Sequence, residues 1–200
     1  MDGHDDTSRI GRQLAFIVEI DRLKGVLRQT SLVDASRREN TAEHSWHLAT
    51  MAVVLAEHIP PGIDVMRVVR MLLVHDLVEI DAGDTFAYDS AANVDRLARE
   101  RRAAERIFGL LPPEQGAELA ALWEEFEARE SDDARVAVAF DRLQPLLINH
   151  HGGGGSWREH GVSRAQVMQR MDPIRLALPG LWPTVLALIE RSGALGHISG

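Results

Sequence analysis

The segment HDLVEIDAGD, residues 75–84, places two potential metal ligands, His75 and Asp76, at the end of an apolar stretch. Apolar residues before it recur at three- and four-residue spacing, which predicts a helix over residues 64–79 with one face turned to a core. The apolar positions of that face are Val69, Leu72 and Leu73. Asp76 continues this row and His75 lies beside it, so both side chains are predicted to point to the interior.

Two other segments carry a histidine or an aspartate at a similar place on an apolar face. A helix is predicted to begin near Asn40, because Asn40 and Glu43 have the spacing of a capping box, and His44 lies one turn before its apolar row. That row is Leu48, Met51 and Leu55. A later helix over residues 131–148 has Asp141 at the border of its own row. This row is Val136, Phe140, Leu143 and Leu147.

Together these faces predict a metal site made of His44, His75, Asp76 and Asp141. A carboxylate turned to a core is costly unless it is paired, protonated or bound to metal. Each residue alone has an ordinary interpretation, as a core histidine with a hydrogen-bond partner or, for Asp141, as the partner of Arg142. Four of them on converging faces favour one divalent cation, and nitrogen and oxygen ligands suit Mn, Co, Fe, Ni or Mg.

Composition limits the other classes of function. The chain has 200 residues, 45% of them hydrophobic and 26% charged, which predicts one globular domain over residues 1–200. It has no cysteine, which excludes disulfides, zinc–thiolate sites and cysteine nucleophiles and fits a cytoplasmic location. A net charge of −8 argues against a nucleic acid duplex as partner. No signal peptide or membrane segment is readable, so no membrane partner is expected.

The remaining pattern predicts an all-α protein, a compact bundle of about six to eight helices. Its core motifs span residues 23–148, and a helical extension covers residues 156–200. Residues 28–40 are predicted to form a polar, basic loop. The four glycines at residues 152–155 are interpreted as a linker, because no strand precedes them and no Gly-Lys-Ser/Thr follows. Further predicted helices cover residues 10–23, 93–108, 163–176 and 182–191, and one more begins at residues 112–114.

The ligand positions and their surroundings resemble the HD-domain phosphohydrolases, whose pattern is His, then His-Asp, then a distant Asp. RRENTAEH, residues 37–44, and HDLVEIDAGD, residues 75–84, are similar to the subgroup that contains the 5′-deoxynucleotidases. LWEEF, residues 122–126, resembles a stretch of the eukaryotic branch. The resemblance runs over residues 23–147 and implies the compact helical fold of the HD domain.

The resemblance also implies a domain, usually dimeric, that hydrolyses a phosphomonoester with one divalent cation. By motif, Glu79 would orient or deprotonate the attacking water, and Asp84 would assist proton transfer or hold the site. Basic residues before His44 would bind the phosphate, since the charge of a phosphoryl group calls for guanidinium donors. The candidates are Arg28, Arg37 and Arg38. Each of the three has an alternative interpretation as a solvated residue of a basic loop.

Two features bear on the substrate and the metal. The 5′-deoxynucleotidases carry a tryptophan near the arginine before the motif, whereas residues 28–31 here are RQTS. The expected substrate is therefore a nucleotide or similar small phosphomonoester, a deoxyribonucleoside 5′-monophosphate among them. HD-domain proteins with two metal ions carry further histidines between the central His-Asp and the last Asp. No histidine occurs in residues 77–140, so the resemblance implies one metal ion rather than two. The alternatives are a hydrolase of another phosphate ester or a triphosphate, and a non-catalytic metal-binding sensing module.

Overall fold

The computed structural model describes residues 8–89 and 94–200. Within these ranges the chain consists of α-helices, short 3₁₀ turns and one two-stranded hairpin. The helices are α1 Arg9–Ile20, α2 Thr41–Val54, α3 Val65–Val74, α4 Glu79–Ala82, α5 Arg96–Phe108, α6 Pro113–Ala128, α7 Asp132–His151, α8 Gly155–Glu159, α9 Arg164–Ala177 and α10 Trp182–Ala194. Eight of the helices in the described ranges have ten residues or more, so the predicted all-α bundle is confirmed. None of the helices in those ranges has both the length and the apolar character needed to cross a lipid bilayer.

Helix α7 is the centre of the fold and is buried on almost every side. The five consecutive residues 136–140 are all buried, as expected of a helix surrounded by other helices. Helices α2, α3, α6 and α9 pack against it. Of the predicted row, Val136, Phe140 and Leu143 are buried, whereas Leu147 is half-buried. The inward residues of α7 therefore lie in the core shared by most of the molecule.

Helix α3 differs from the prediction in its end and in its buried face. It ends at Val74 rather than near Glu79, and Leu73, which the sequence places inside, is 47% exposed. Its buried residues are Val68, Met71, Leu72 and Val74. His75 therefore continues the buried row, and Asp76 lies on the turn that follows. Because almost every residue of α3 is apolar, spacing alone does not select the buried face.

The predicted basic loop over residues 28–40 is instead a β-hairpin. Its strands are β1 Leu27–Ser31 and β2 Arg38–Asn40, paired antiparallel with Leu27 opposite Asn40. A register irregularity interrupts the pairing. Strand β1 packs against α7 and α8. The hairpin thereby lies directly over the central helix.

The polar character of the hairpin explains why its strands were not predicted. The residues that it buries are Thr30 and Glu39. An ordinary half-buried strand alternates apolar and polar residues, and that alternation is missing here. Polar side chains turned inward from a hairpin need partners inside the protein.

Side chains at the predicted positions begin three of the helices. Asn40 accepts a hydrogen bond from the backbone N–H of Glu43, whose carboxylate accepts one from the backbone N–H of Asn40. Asp64 and Ser131 cap α3 and α7 with their own side chains. The predicted capping box is confirmed, and it places His44 in the first turn of α2.

The glycine run forms a tight turn between α7 and α8. Gly153, Gly154 and Gly155 have φ angles of +74°, +96° and +32°, which residues with a Cβ rarely adopt. The Oδ1 atom of Asn149 accepts a hydrogen bond of 3.1 Å from Ser156 Oγ across this turn. The helices beyond it pack into the same core as α7. The side chains of α9 and α10 in that core are Val167, Met171, Ile174, Val185 and Ile189.

Gly116 marks a close approach between α6 and the end of α5. A Cβ at this position would lie 2.4 Å from the carbonyl oxygen of Phe108, well inside van der Waals contact. The same helix α6 carries Phe126, whose ring centroid is 4.5 Å from that of His75. The glycine therefore allows α6 to pack closely and bring Phe126 against the histidine.

We expect Gly116→Ala to lower the free energy of unfolding by about 1–3 kcal/mol, because the added methyl group would collide with the Phe108 carbonyl. Gly193→Ala in α10 is the matched control, since nothing lies within 4 Å of a Cβ there. Alanine at an open helical position stabilises by roughly 0.5–1 kcal/mol. Urea unfolding of both variants measures the two changes. Shifts of equal size and sign would contradict the close approach.

Candidate metal centre

Three buried side chains from three helices meet in the interior. His44 comes from the first turn of α2, His75 from the end of α3 and Asp141 from the middle of α7. The Nε2 atoms of His44 and His75 lie 3.1 and 3.9 Å from Asp141 Oδ1. One potential ligand atom from each residue falls within 4.8 Å of the other two. A single metal ion can bridge donors at this spacing.

Asp76 joins this group from the turn that follows α3. Its Oδ1 atom lies 3.1 Å from His75 Nε2, and its Oδ2 atom lies 3.9 Å from His44 Nε2. The fold therefore brings together the four residues that the sequence offers as metal ligands. It does so although His44 and Asp141 are 97 positions apart in the chain.

Both imidazole rings are held so that Nε2 faces the carboxylates. His75 Nδ1 lies 3.0 Å from the carbonyl oxygen of Leu72, the geometry of an N–H donated to that oxygen. His44 Nδ1 lies 3.5 Å from Glu39 Oε2, and the other oxygen of Glu39 accepts a hydrogen bond of 2.7 Å from Gln144 Nε2. The Nε2 atom of His75 is buried, and none of its contacts among the described residues has the geometry of a hydrogen bond. A hydrogen on Nδ1 leaves the Nε2 lone pair available to a metal.

Neighbouring cationic groups favour the ionised form of both carboxyl groups in this group. Burial raises the pKa of Asp76, but His75 above all, and then Arg28, lower it to about 2. Burial likewise opposes ionisation of Asp141, whereas Arg142 and the two histidines hold its pKa well below the usual range. Burial lowers the pKa of His75, yet the carboxylates outweigh it and raise that pKa to about 10. A proton on His75 or a divalent cation can supply the missing charge. The nitrogen and oxygen donors fit a divalent cation of the Mn, Co, Fe, Ni or Mg class.

Two further carboxyl groups, Glu79 and Asp84, lie beside the ligands. Glu79 is buried at the start of α4, and its Oε2 atom accepts a hydrogen bond of 2.9 Å from Thr41 Oγ1. Burial, and then the charge of Asp76, raise the pKa of Glu79 well above its usual value. Burial also raises the pKa of Asp84, against the opposing charge of Arg28. Carboxyl groups with raised pKa values can take up and release a proton closer to neutral pH.

Arg28 reaches the centre from strand β1. Its Nη1 atom lies 3.1 Å from Asp76 Oδ2 and 3.5 Å from Asp84 Oδ1. Its Nε atom lies 3.8 Å from Glu39 Oε2. Burial lowers the pKa of Arg28, but Asp76 and Asp84 outweigh burial and raise it above the usual value. Arg28 is thus a fixed cation at the edge of the ligand group.

Arg37 and Arg38, which the sequence offers as phosphate ligands, are not brought to the centre. Arg37 is exposed and pairs with Glu43 at 2.6 Å, and Arg38 is exposed and lies 3.3 Å from Glu159. Neither lines the cavity beside the ligands. Successive strand residues point to opposite sides, so in β2 Glu39 turns inward and Arg38 turns outward.

A cavity of about 130 Å³ opens beside the ligand group. The carboxyl groups on its wall belong to Asp76, Glu79, Asp84, Glu100, Glu127 and Asp141. Its guanidinium groups belong to Arg28, Arg96, Arg129, Arg142 and Arg170. A second cavity of about 70 Å³ adjoins it, and Arg28, Arg142 and Arg170 line both. The aromatic residues on the wall of the second cavity are Phe86, Tyr88 and Trp157.

Three residues of this region have no assigned role in the sequence-based prediction of the site. Glu39 lies between basic residues and a helix cap, which is typical of a surface residue. Arg142 appears there as a possible partner of Asp141, and its Nη1 atom does contact Asp141 Oδ2. Arg170 follows the glycine run, and no motif near it points to the centre. The hairpin brings Glu39 inward, and the glycine turn brings Arg170 inward.

Comparison with protein families and with curated proteins gives consistent results. The model of the HD domain family matches residues 20–182. The chain is 31% identical to the human 5′-deoxynucleotidase HDDC2 over 135 residues, which are 67% of this chain and 65% of that protein. It is 30% identical to the mouse protein of the same name over 67% of this chain and 66% of that one. The match thus spans just under two thirds of the length of these two relatives.

Solved structures agree with this result. A predicted metal-dependent phosphohydrolase from Magnetospirillum magnetotacticum MS-1 superposes with a TM-score of 0.91 at 53% identity, covering 96% of this chain and 99% of that one. A conserved hypothetical protein from Pyrococcus furiosus, 20% identical, superposes with a TM-score of 0.61 over 86% of this chain and 99% of its own, and shows the fold alone. The resemblance inferred from the motifs is confirmed, and this chain belongs to the HD domain family.

Proposed function

We propose that this protein is a metal-dependent phosphohydrolase that releases phosphate from a nucleotide or similar small phosphomonoester. A deoxyribonucleoside 5′-monophosphate is the first candidate, because the curated relatives are named 5′-deoxynucleotidases. The observation that carries the proposal is the cluster of His44, His75 and Asp141, which Asp76 joins, at a cavity whose wall also carries Glu79 and Asp84. Metal ligands and groups that transfer protons are the two requirements of such a reaction.

In this proposal His44, His75, Asp76 and Asp141 hold one divalent cation. A cation held there would lower the pKa of a bound water molecule and polarise a phosphoryl oxygen. Glu79 takes the proton of the attacking water, for which its raised pKa suits it. Thr41 holds one carboxylate oxygen of Glu79 by a hydrogen bond, so the other is available to the water.

Arg28 and Asp84 complete the proposed mechanism. The Arg28 guanidinium binds phosphoryl oxygens, since it lines both cavities beside the ligand group and keeps its charge. Asp84, whose pKa is raised by burial, gives a proton to the leaving alcohol or holds Arg28 in place. A protein that only binds a ligand has no need of carboxyl groups with raised pKa values beside the metal ligands. The presence of Glu79 and Asp84 there therefore favours hydrolysis over sensing.

The number of cations, the oligomeric state and the cellular location belong to the same proposal. One cation is expected, since residues 77–140 contain no histidine to hold a second. A homodimer is expected, and the exposed apolar face of α1 supports it. That face consists of Ile10, Leu14, Ile17 and Val18. A cytoplasmic location is expected from the absence of cysteine.

The proposal predicts phosphate release by the purified protein from deoxyribonucleoside 5′-monophosphates. The assay uses a panel of nucleoside mono- and triphosphates and sugar phosphates, first without metal and then with Mn, Co, Ni or Mg. His75→Ala should abolish release, since it removes a proposed ligand. Release of triphosphate instead of phosphate would favour the triphosphate hydrolase. No release from any substrate, with metal bound, would favour the sensing module.

Glu79→Gln is expected to lower kcat about 10²- to 10⁴-fold, because the amide cannot accept the proton of water. Metal content, measured by elemental analysis, should stay at the wild-type value. Asp81→Asn is the matched control on the same short helix, since Asp81 faces outward and pairs with Arg106. Turnover that survives in Glu79→Gln with metal bound would exclude Glu79 as the base.

Arg28→Lys should lower kcat/KM by about tenfold or more, because an ammonium group cannot make the two parallel hydrogen bonds of a guanidinium fork. Arg38→Lys, in the other strand of the hairpin, separates the two candidate positions, since Arg38 is exposed and pairs with Glu159. Its kcat/KM should match that of the wild type. An equal loss in both variants would contradict the assignment to Arg28.

A further inference from the structure

Arg170, on α9, reaches the point where the two cavities adjoin. Of the four other guanidinium groups on the wall of the larger cavity, three have a carboxylate partner, and the fourth, Arg129, is exposed. Those pairs are Arg28 with Asp76, Arg96 with Glu100 and Arg142 with Asp141. Among the described residues, no carboxylate lies within ion-pair distance of Arg170, and no hydrogen bond joins it to another side chain. Of the three guanidinium groups that line both cavities, Arg170 is therefore the one that a ligand would find without a carboxylate partner among the described residues.

The surroundings of Arg170 disfavour its charge. Burial, and then the neighbouring guanidinium of Arg142, lower the pKa of Arg170 to about 9. It remains a cation at neutral pH, but at a cost that an anion in the cavity would offset. Helix α9 is held in place by the buried side chains of Val167, Met171 and Ile174, so its backbone cannot move to carry Arg170 out of the cavity. The protein thus maintains, beside the ligand group, a cation that no carboxylate of the described residues contacts directly.

The guanidinium groups where the two cavities adjoin favour a phosphate group as the ligand. Arg28 on β1, Arg142 on α7 and Arg170 on α9 present three guanidinium groups from three elements to one small space. Guanidinium forks match the oxygens of a phosphate, which accept several hydrogen bonds at once. Asp141 lies on the same walls, so a phosphate held there is next to the ligand group.

We propose that Arg170 is a substrate-binding residue that takes the phosphoryl oxygens of the substrate, so that the segment after the glycine turn completes the active site. The inference rests on the proposed function, because it identifies the phosphate as that of the substrate. In the role of phosphate-binding residue, Arg170 takes the place that the sequence-based prediction gave to Arg37 and Arg38, although it lies far from the motifs in the sequence. The glycine turn and the packing of α9 on α7 are what bring Arg170 to the cavity.

The test is calorimetric titration of inorganic phosphate into the full-length, metal-loaded protein. We expect the wild type to bind phosphate and Arg170→Met to bind it about 10- to 100-fold more weakly, as loss of a charge-assisted hydrogen bond implies. Arg175→Met is the matched control on the same helix, since Arg175 is exposed and pairs with Asp172. Its affinity should equal that of the wild type. Metal content and thermal unfolding of each variant are measured alongside.

Phosphate binding separates this inference from the proposed function. A wild type that binds phosphate but hydrolyses no ester, with the loss confined to Arg170→Met, would support the Arg170 site and refute the hydrolase. Equal phosphate affinity in Arg170→Met and the wild type, or no binding by the wild type, would overturn the Arg170 site. If Arg170→Met does not fold, Arg170→Lys is titrated instead, and wild-type affinity in it would also overturn the proposal. With an active enzyme, KM should rise in Arg170→Met by a similar factor, while Arg175→Met leaves it unchanged.

Discussion

Asp141 carries a negative charge in the middle of the most buried helix, and the arrangement of the neighbouring residues depends on the need to stabilise that charge. An ionised carboxylate at such a place is tolerated only when cations or hydrogen-bond donors surround it. Arg142 contacts one of its oxygens, and the two histidines face the other. Asp76 adds a second negative charge, which Arg28 meets from the hairpin. These ion pairs connect α2, α3, α7 and β1 into one unit.

The ligand group was predictable because each of its residues is polar and lies on or beside a row of apolar ones. A buried polar residue requires an explanation, and four of them on three helices suggest a common one. Helix α3 shows the limit of this argument. Its apolar residues cover more than one face, so Leu73 was assigned to the interior although it is exposed. Because of this error, Asp76 rather than His75 was predicted to continue the buried row. Both residues nevertheless lie at the centre.

The residues that escaped prediction depend on tertiary structure. Glu39 is turned inward and Arg38 outward by the hairpin, and the hairpin itself has no apolar alternation that would reveal it. Arg170 is one of many arginines on polar helix faces, and nothing local distinguishes it from Arg175 on the same helix. Its position follows from a backbone turn and from the packing of α9 on α7. Spacing along one element carries no information about such contacts.

The distance of 97 positions between His44 and Asp141 has a consequence for how the protein forms. No short fragment of the chain contains both ends of the ligand group, and closing so long a loop is an entropic cost that precedes any gain from the contact. The arrangement of these four residues therefore arises only when the helices have assembled. A cation held by these residues would therefore bind to a fold whose helices have already assembled.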